Sequence, residues 1–274
     1  MGDFKTKYSI DMIRLKTKIS HGEFDRFVKK YSFDTDVEYW TSTNFKDFNH
    51  NFKINDEKGT FWVGYAHNSQ RNTEKSDNLV LEYNPNKVQQ TKHLQDILKK
   101  FFWHYNFEIV SCDVAVDLHD INMKTDVLWD KGQKKSYREY KENGTKTIYM
   151  GRGANQVRIY DKAREQGLKD NIQWTRYEVS MSVNETAERL KSFVHDVKLP
   201  QIYVIPTFKY DFELNNTDWC LLQGLVNGVI TLDQLGRGKR KKIKTALEKQ
   251  SKFRLDNQQL SSTLKEFVFS SILN

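Results

Sequence analysis

Tyr160 stands between Arg158 and Lys162 in the stretch Tyr149–Glu165, which reads YMGRGANQVRIYDKARE. Along an extended strand, side chains alternate between the two faces. Val157 and Ile159 then face a core, and Arg158, Tyr160 and Lys162 face the other way together. A phenol has an unperturbed pKa near ~10, and neighbouring cations help it to ionise. The trio therefore suits attack on a phosphate, with Tyr160 as nucleophile and Arg158 and Lys162 as phosphate clamps. Just ahead, Gly151-Arg152-Gly153 gives a turn at which backbone can approach a ligand closely, with Arg152 as a DNA contact. The same pattern also fits a solvated sheet face, so the rest of the chain has to decide.

Acids supply the next constraint. Phe107–Asp120 (FEIVSCDVAVDLHD) alternates as a strand, with Cys112, Val114, Val116 and Leu118 on one face. Asp113, Ala115, Asp117 and His119 take the other. Carboxylates sharing one strand face repel unless a cation or a basic partner lies between them. A divalent metal is one answer, and oxygen ligands favour Mg²⁺ or Mn²⁺. A solvent-facing edge strand is the other. Trp174–Ser182 (WTRYEVSMS) is a further strand, with Arg176, Glu178 and Ser180 on one face and Tyr177, Val179 and Met181 opposite. Asp113, Asp117 and Glu178 are thus the candidate metal ligands. With Tyr160 they make a coherent phosphodiester-transfer site, the metal polarising the phosphate.

The 274 residues suffice for one large domain or two ordinary ones. A net charge of +8 points to a polyanionic partner, nucleic acid before membrane. Cys112 and Cys220 lie in apolar contexts and read as reduced core residues. The N-terminus has no apolar signal core and no stretch approaches a membrane span, so the cytoplasm is the expected compartment.

The positioning elements read as follows. Tyr8–Ile19 is a strand and His21–Tyr31 an amphipathic helix. Val37–Thr43, Phe48–Ile54, Thr60–His67 and Asn78–Tyr83 are antiparallel strands separated by turn clusters. His67, at the end of its strand, reads as structural. Asn86–His104 is a helix, and Thr145–Gly151 with Asn155–Lys162 a hairpin. Glu185–Val197 has helical spacing, and Leu199–Tyr210 reads as a connection. Helices follow over Asp218–Val226, Thr231–Leu235, Arg237–Gln250 and Gln258–Leu273. The run Gly236–Arg254 is densely basic, and Arg237, Lys239, Arg240, Lys241, Lys242 and Lys244 are candidate DNA contacts there. Arg176 is added to these from the strand after Tyr160.

Three blocks, CDVAVD (Cys112–Asp117), IYMGRGANQVRIYDKARE (Ile148–Glu165) and WTRYEVSM (Trp174–Met181), resemble the Rep_trans family. These are replication initiators of small Gram-positive rolling-circle plasmids, together with related relaxases. The resemblance implies a site-specific DNA nicking and joining enzyme. It would bind the double-strand origin, nick one strand through Tyr160 as a 5′-phosphotyrosine, and leave a 3′-OH that primes synthesis. It also implies a homodimer, recruitment of a host helicase, and a divalent cation that maps onto Asp113, Asp117 and Glu178. The His-hydrophobic-His metal motif of other nicking families is absent, which leaves His119 as a further candidate ligand.

The expected fold is α+β: a mainly antiparallel sheet with packed helices and a small helical C-terminal portion. Residues 1–205 would form the catalytic domain and 206–274 the basic DNA-recognition portion. Two other readings use the same residues. A relaxase of a mobile element shares the chemistry, whereas a non-catalytic DNA-binding regulator needs only the basic helix.

Overall fold

The computed structural model describes residues 5–42, 48–56, 58–66, 77–88, 91–103, 106–130, 136–142, 145–153, 155–169, 171–205 and 214–273. His67 lies outside the described residues. In chain order the elements are β1 (Thr6–Ile19), α1 (His21–Tyr31), β2 (Val37–Thr41), β3 (His50–Asp56), β4 (Gly59–Ala66), β5 (Asp77–Tyr83), α2 (Pro85–Val88) and α3 (Lys92–Ile97). Then come β6 (Phe107–His119), β7 (Val127–Asp130), β8 (Tyr137–Glu142), β9 (Thr145–Met150), β10 (Val157–Asp161), α4 (Lys162–Glu165), β11 (Trp174–Thr186) and β12 (Gln201–Val204). α5 (Asn216–Val226), α6 (Arg237–Gln250) and α7 (Asn257–Phe267) follow. The α+β expectation holds. Strand pairs β1–β5, β2–β3, β3–β4, β4–β5, β8–β9, β9–β10, β10–β11 and β7–β12 are all antiparallel.

Contacts divide the chain into two compact units, and β6 and β11 each contribute a segment to both. One unit comprises Ser9–Val114, Ser180–His195 and Leu260–Asn274. Its strands follow the order β2-β3-β4-β5-β1. α1 begins at a capping box: Ser20 Oγ accepts from the Glu23 N–H, and Glu23 accepts from the Ser20 N–H at 2.8 Å. The helix buries Phe24, Phe27 and Tyr31. Phe24 stacks on Tyr65 and Phe27 meets Phe52 edge-on at 5.0 Å, geometries that add to the burial of the rings.

The other unit comprises Met1–Tyr8, Ala115–Val179 and Asp196–Gln259. Its strand order is β6-β11-β10-β9-β8, with a separate β7–β12 ribbon. Tyr203 of β12, Leu222 and Leu225 of α5, and Ile243 and Leu247 of α6 share one apolar core. Residues from 206 onward are therefore shared between the two units.

Several elements differ from the sequence reading. The helix expected over Asn86–His104 is divided: α2, then α3, then a π-helical turn over Leu98–Phe102. Instead of a helix over Glu185–Val197, β11 continues to Thr186 and a 3₁₀ turn covers Arg189–Ser192. Val194 is 56% exposed, so the apolar spacing does not mark a buried helical face. Within the expected connection, Gln201–Val204 forms β12, because Val127–Asp130 offers it a partner edge. Cys112 is buried as expected, but Cys220 is exposed.

Candidate active site

Tyr160 sits on the penultimate residue of β10, and its strand alternation is as the sequence suggests. Val157 and Ile159 are fully buried, while Arg158 and Tyr160 are partly exposed on the opposite face. Register then decides what they meet, because directly opposed residues on neighbouring strands share a face. Arg158 opposes Glu178 of β11, and Tyr160 opposes Arg176. The Tyr160 hydroxyl donates a hydrogen bond to Glu178 Oε1. Arg158 Nη2 pairs with Glu178 Oε2. Glu178 is almost entirely buried, whereas the Arg158 side chain keeps 31% of its surface exposed. A phenol, a carboxylate that accepts its hydrogen bond, and a partly exposed guanidinium thus meet at one point.

Lys162 reaches this cluster by another route. Asp161 ends the strand by capping α4: its carboxylate accepts from the Arg164 N–H at 3.1 Å. Lys162 is therefore the first residue of a helix and not the next strand residue. It is buried, pairs with Glu165 at 2.5 Å, and lies 5.7 Å from the Tyr160 ring centroid. Burial raises the Glu165 carboxyl, but its bonds to Lys162 and Gln166 and the charges of Lys162 and Arg176 together outweigh this and hold the group below its usual range. At the hairpin tip, Gly151 and Gly153 have φ of 88° and 55°, conformations open to glycine at little cost. Arg152 between them is exposed and donates to Ser136 Oγ.

The three acids expected to hold a metal meet different fates. Asp117 accepts from Arg176 Nε at 2.7 Å, from Arg176 Nη2 at 2.8 Å and from Trp174 Nε1 at 2.7 Å. The Asp117–Arg176 pair is buried, with side chains 4% and 7% exposed. The cation that quiets Asp117 is thus an arginine. Glu178 is held by Tyr160 and Arg158. Asp113 belongs to the unit that does not contain Tyr160. The carboxylates of Asp117 and Glu178 are engaged by arginine and, as they stand, do not fit an ion's shell. His119 packs against the Trp174 ring, with centroids 5.0 Å apart. Among the described residues, the group of acids and histidines whose donor atoms converge within 4.8 Å is Asp34, Asp36 and His93.

Arg176 is correspondingly not a surface DNA contact, since it is clamped inside by Asp117. Losing one partner of a buried, hydrogen-bonded ion pair costs about 3–5 kcal/mol. Asp117→Ala should therefore lower the melting temperature by on the order of 10 °C. An unchanged melting curve, followed by circular dichroism, would show that the pair does not support the fold.

The basic helix also divides its charge. Lys239 and Lys242 reach the buried Asp218 at 2.5 and 2.8 Å. Their bonds hold its carboxyl below the usual range. Arg240 and Lys244 reach the buried Asp130 at 3.1 and 2.6 Å. Four of the six expected contacts on α6 thus pair with internal acids, and of these Lys239 and Lys242 stay exposed, as do Arg237 and Lys241.

Other tyrosines fit attack less well. Tyr177 is fully buried, donates to the Pro200 carbonyl at 3.1 Å, and has its pKa raised by burial. Tyr149 shares the Tyr160 face, opposite Arg158, and packs edge-on against Tyr140. The sequence, in which Trp129–Glu142 reads as an exposed strand or a loop, gives Arg138 and Tyr140 no role. The alternation of β8 carries them, but only the register with β9 shows which face they join.

Residues 109–219 match the family described as Rep_trans, replication initiation factor. The three blocks that carry the resemblance lie within that span. No curated protein matches the chain by sequence. Among solved structures, a rolling circle replication initiator protein from Geobacillus stearothermophilus is similar at 13% identity and a TM-score of 0.47, covering 92% of this chain and 99% of that one. Among the described residues, no helix is long and apolar enough to cross a membrane.

Proposed function

We propose that this chain, whose residues 109–219 match the replication initiation factor family, initiates plasmid rolling-circle replication by nicking one strand of its origin through Tyr160. The observation that carries the assignment is the hydrogen bond from Tyr160 to Glu178, held beside Arg158. Glu178 takes the phenolic proton as Tyr160 Oη attacks the scissile phosphorus. The new Oη–P bond forms as the bond from phosphorus to the 3′ oxygen breaks. That oxygen leaves as the 3′-OH, taking a proton from water, and the 5′ phosphate stays on Tyr160. Arg158, exposed on one side, meets the charge that develops on the phosphoryl oxygens. Lys162 adds positive charge beside the phenol. Rejoining runs the same steps in reverse, with Glu178 returning the proton.

Around this chemistry the wider reading is that of an initiator. With one nucleophile per chain, the cut that ends a round falls to the second copy of a homodimer, and a host helicase opens the nicked duplex. Exposed Arg152, Arg237 and Lys241 contact origin DNA, and the chain works in the cytoplasm. A divalent cation, Mg²⁺ or Mn²⁺, is a requirement expected of the reaction. Its ligands are not Asp117 and Glu178 while these stay bound to arginine.

The test is adduct formation on supercoiled DNA carrying the cognate origin, with Mg²⁺, with Mn²⁺ and with chelator. We expect a covalent protein–DNA species on a denaturing gel, and peptide mapping should place the nucleotide on Tyr160. Loss of the species in chelator establishes the metal requirement. Specific origin binding without any adduct in either metal would favour the non-catalytic regulator instead.

A further inference from the structure

On the Tyr160 face, the pairing of β8, β9, β10 and β11 sets two rows of side chains across the sheet. One row is Arg138, Tyr149, Arg158 and Glu178, and the next is Tyr140, Thr147, Tyr160 and Arg176. The reverse face of β9 and β10 is apolar and buried through Ile148, Met150, Val157 and Ile159. The two faces thus have opposite characters, and the Tyr160 face is one of aromatic rings interleaved with cations. Tyr140 and Tyr149 meet edge to face with centroids 5.4 Å apart. The Arg138 guanidinium lies 5.6 Å from the Tyr149 centroid. Tyr140 remains 53% exposed and Arg138 is exposed. β8 is the last strand in the order, so these groups stand at the rim. Two strand spacings, about 10 Å, separate Tyr140 from Tyr160.

We infer that the β8–β9 face is a stacking platform for single-stranded DNA beside the scissile phosphate, with Tyr140 and Tyr149 contacting bases and Arg138 a phosphate. This deepens the nicking reading by naming where the strand lies. A duplex keeps its bases stacked inside, and its backbone would need only the cations. An exposed ring, Tyr140, and a half-buried one, Tyr149, interleaved with arginines make the arrangement that binds unpaired bases with little regard to sequence. Continuity with Tyr160 and Arg158 on the same two rows sets the occupant: the strand being cut and not a second protein. Such a platform would hold a flanking nucleotide still while the phosphorus meets the phenol.

The experiment measures anisotropy of a fluorescein-labelled oligothymidine, and of a labelled duplex, with protein carrying Tyr160→Phe so that no cleavage intervenes. Tyr140→Ala and Tyr149→Ala should each weaken oligothymidine binding about tenfold, the scale of one lost base stack. Tyr140→Phe, which keeps the ring, should bind within about twofold of the Tyr160→Phe protein. Duplex affinity should hold in all of them. Unchanged oligothymidine affinity in both alanine variants overturns the platform, and so does an equal loss on duplex. Failure of the nicking reading is distinguishable: without any Tyr160 adduct, selective loss of oligothymidine binding in these variants still establishes the platform.

Discussion

Tyr160→Phe should reduce the covalent protein–DNA species by about 10⁴-fold or more, to background, because removal of a covalent nucleophile is rarely made up by a neighbour. The substitution deletes one oxygen and keeps the ring. Glu178 loses a donor but keeps Arg158, so the effect on stability should stay within about 1–3 kcal/mol. The neighbouring phenols cannot take over. Tyr177 points into the core and is tied to the Pro200 carbonyl, and burial opposes its ionisation. Tyr149 is on the right face but one strand away, across from Arg158 and packed against Tyr140. The measurement is the yield of adduct by denaturing gel, with oligothymidine binding and melting temperature as controls for fold. An adduct that persists in the phenylalanine variant would remove Tyr160 from the mechanism while leaving the reaction class open to another tyrosine.

What could be read from the sequence was set by the range of each interaction. Alternation is local, so the sidedness of Val157, Arg158, Ile159 and Tyr160 was legible. Glu178 was found as an acid on the working face of β11 for the same reason. Its partners were not, because they depend on the register of β10 against β11. The sequence allowed Asp117 either a metal or a basic partner. The arginine that settles the matter is 59 residues away. The sequence reading placed one ion between Asp113 and Asp117 as near neighbours, but four residues along a strand put them roughly 13 Å apart, too far for one shared ion. Lys162 was misplaced by carrying alternation one residue too far. An aspartate can end a strand by capping the N–H three residues on, as Asp161 does with Arg164. The same lesson holds for α6. Its cations read as a surface for DNA, and only the fold shows that four of them also pair with Asp218 and Asp130.

The division of labour between Tyr160 and Glu178 gives the second large effect. Glu178→Gln keeps the length of the side chain and an oxygen that can accept from the phenol, but an amide cannot take up the proton. It also removes the negative charge that orients Arg158. General-base catalysis contributes about 10²–10⁴-fold, and nicking by the variant should slow by that factor while the adduct, when it forms, still maps to Tyr160. The pH profile separates this from a merely structural loss. With no base at hand, attack depends on phenol ionised by solvent, whose unperturbed pKa is near ~10. The rate of the glutamine variant should then climb about tenfold per pH unit below that value, and the parent should show a shallower rise over the same range. Single-turnover nicking between neutral and mildly alkaline pH reads both slopes. Equal slopes in parent and variant would make Glu178 a tether for Arg158 and leave the proton to another acceptor. A steeper slope in the variant assigns the proton to Glu178, and with it the reason that a carboxylate is buried at the foot of this tyrosine.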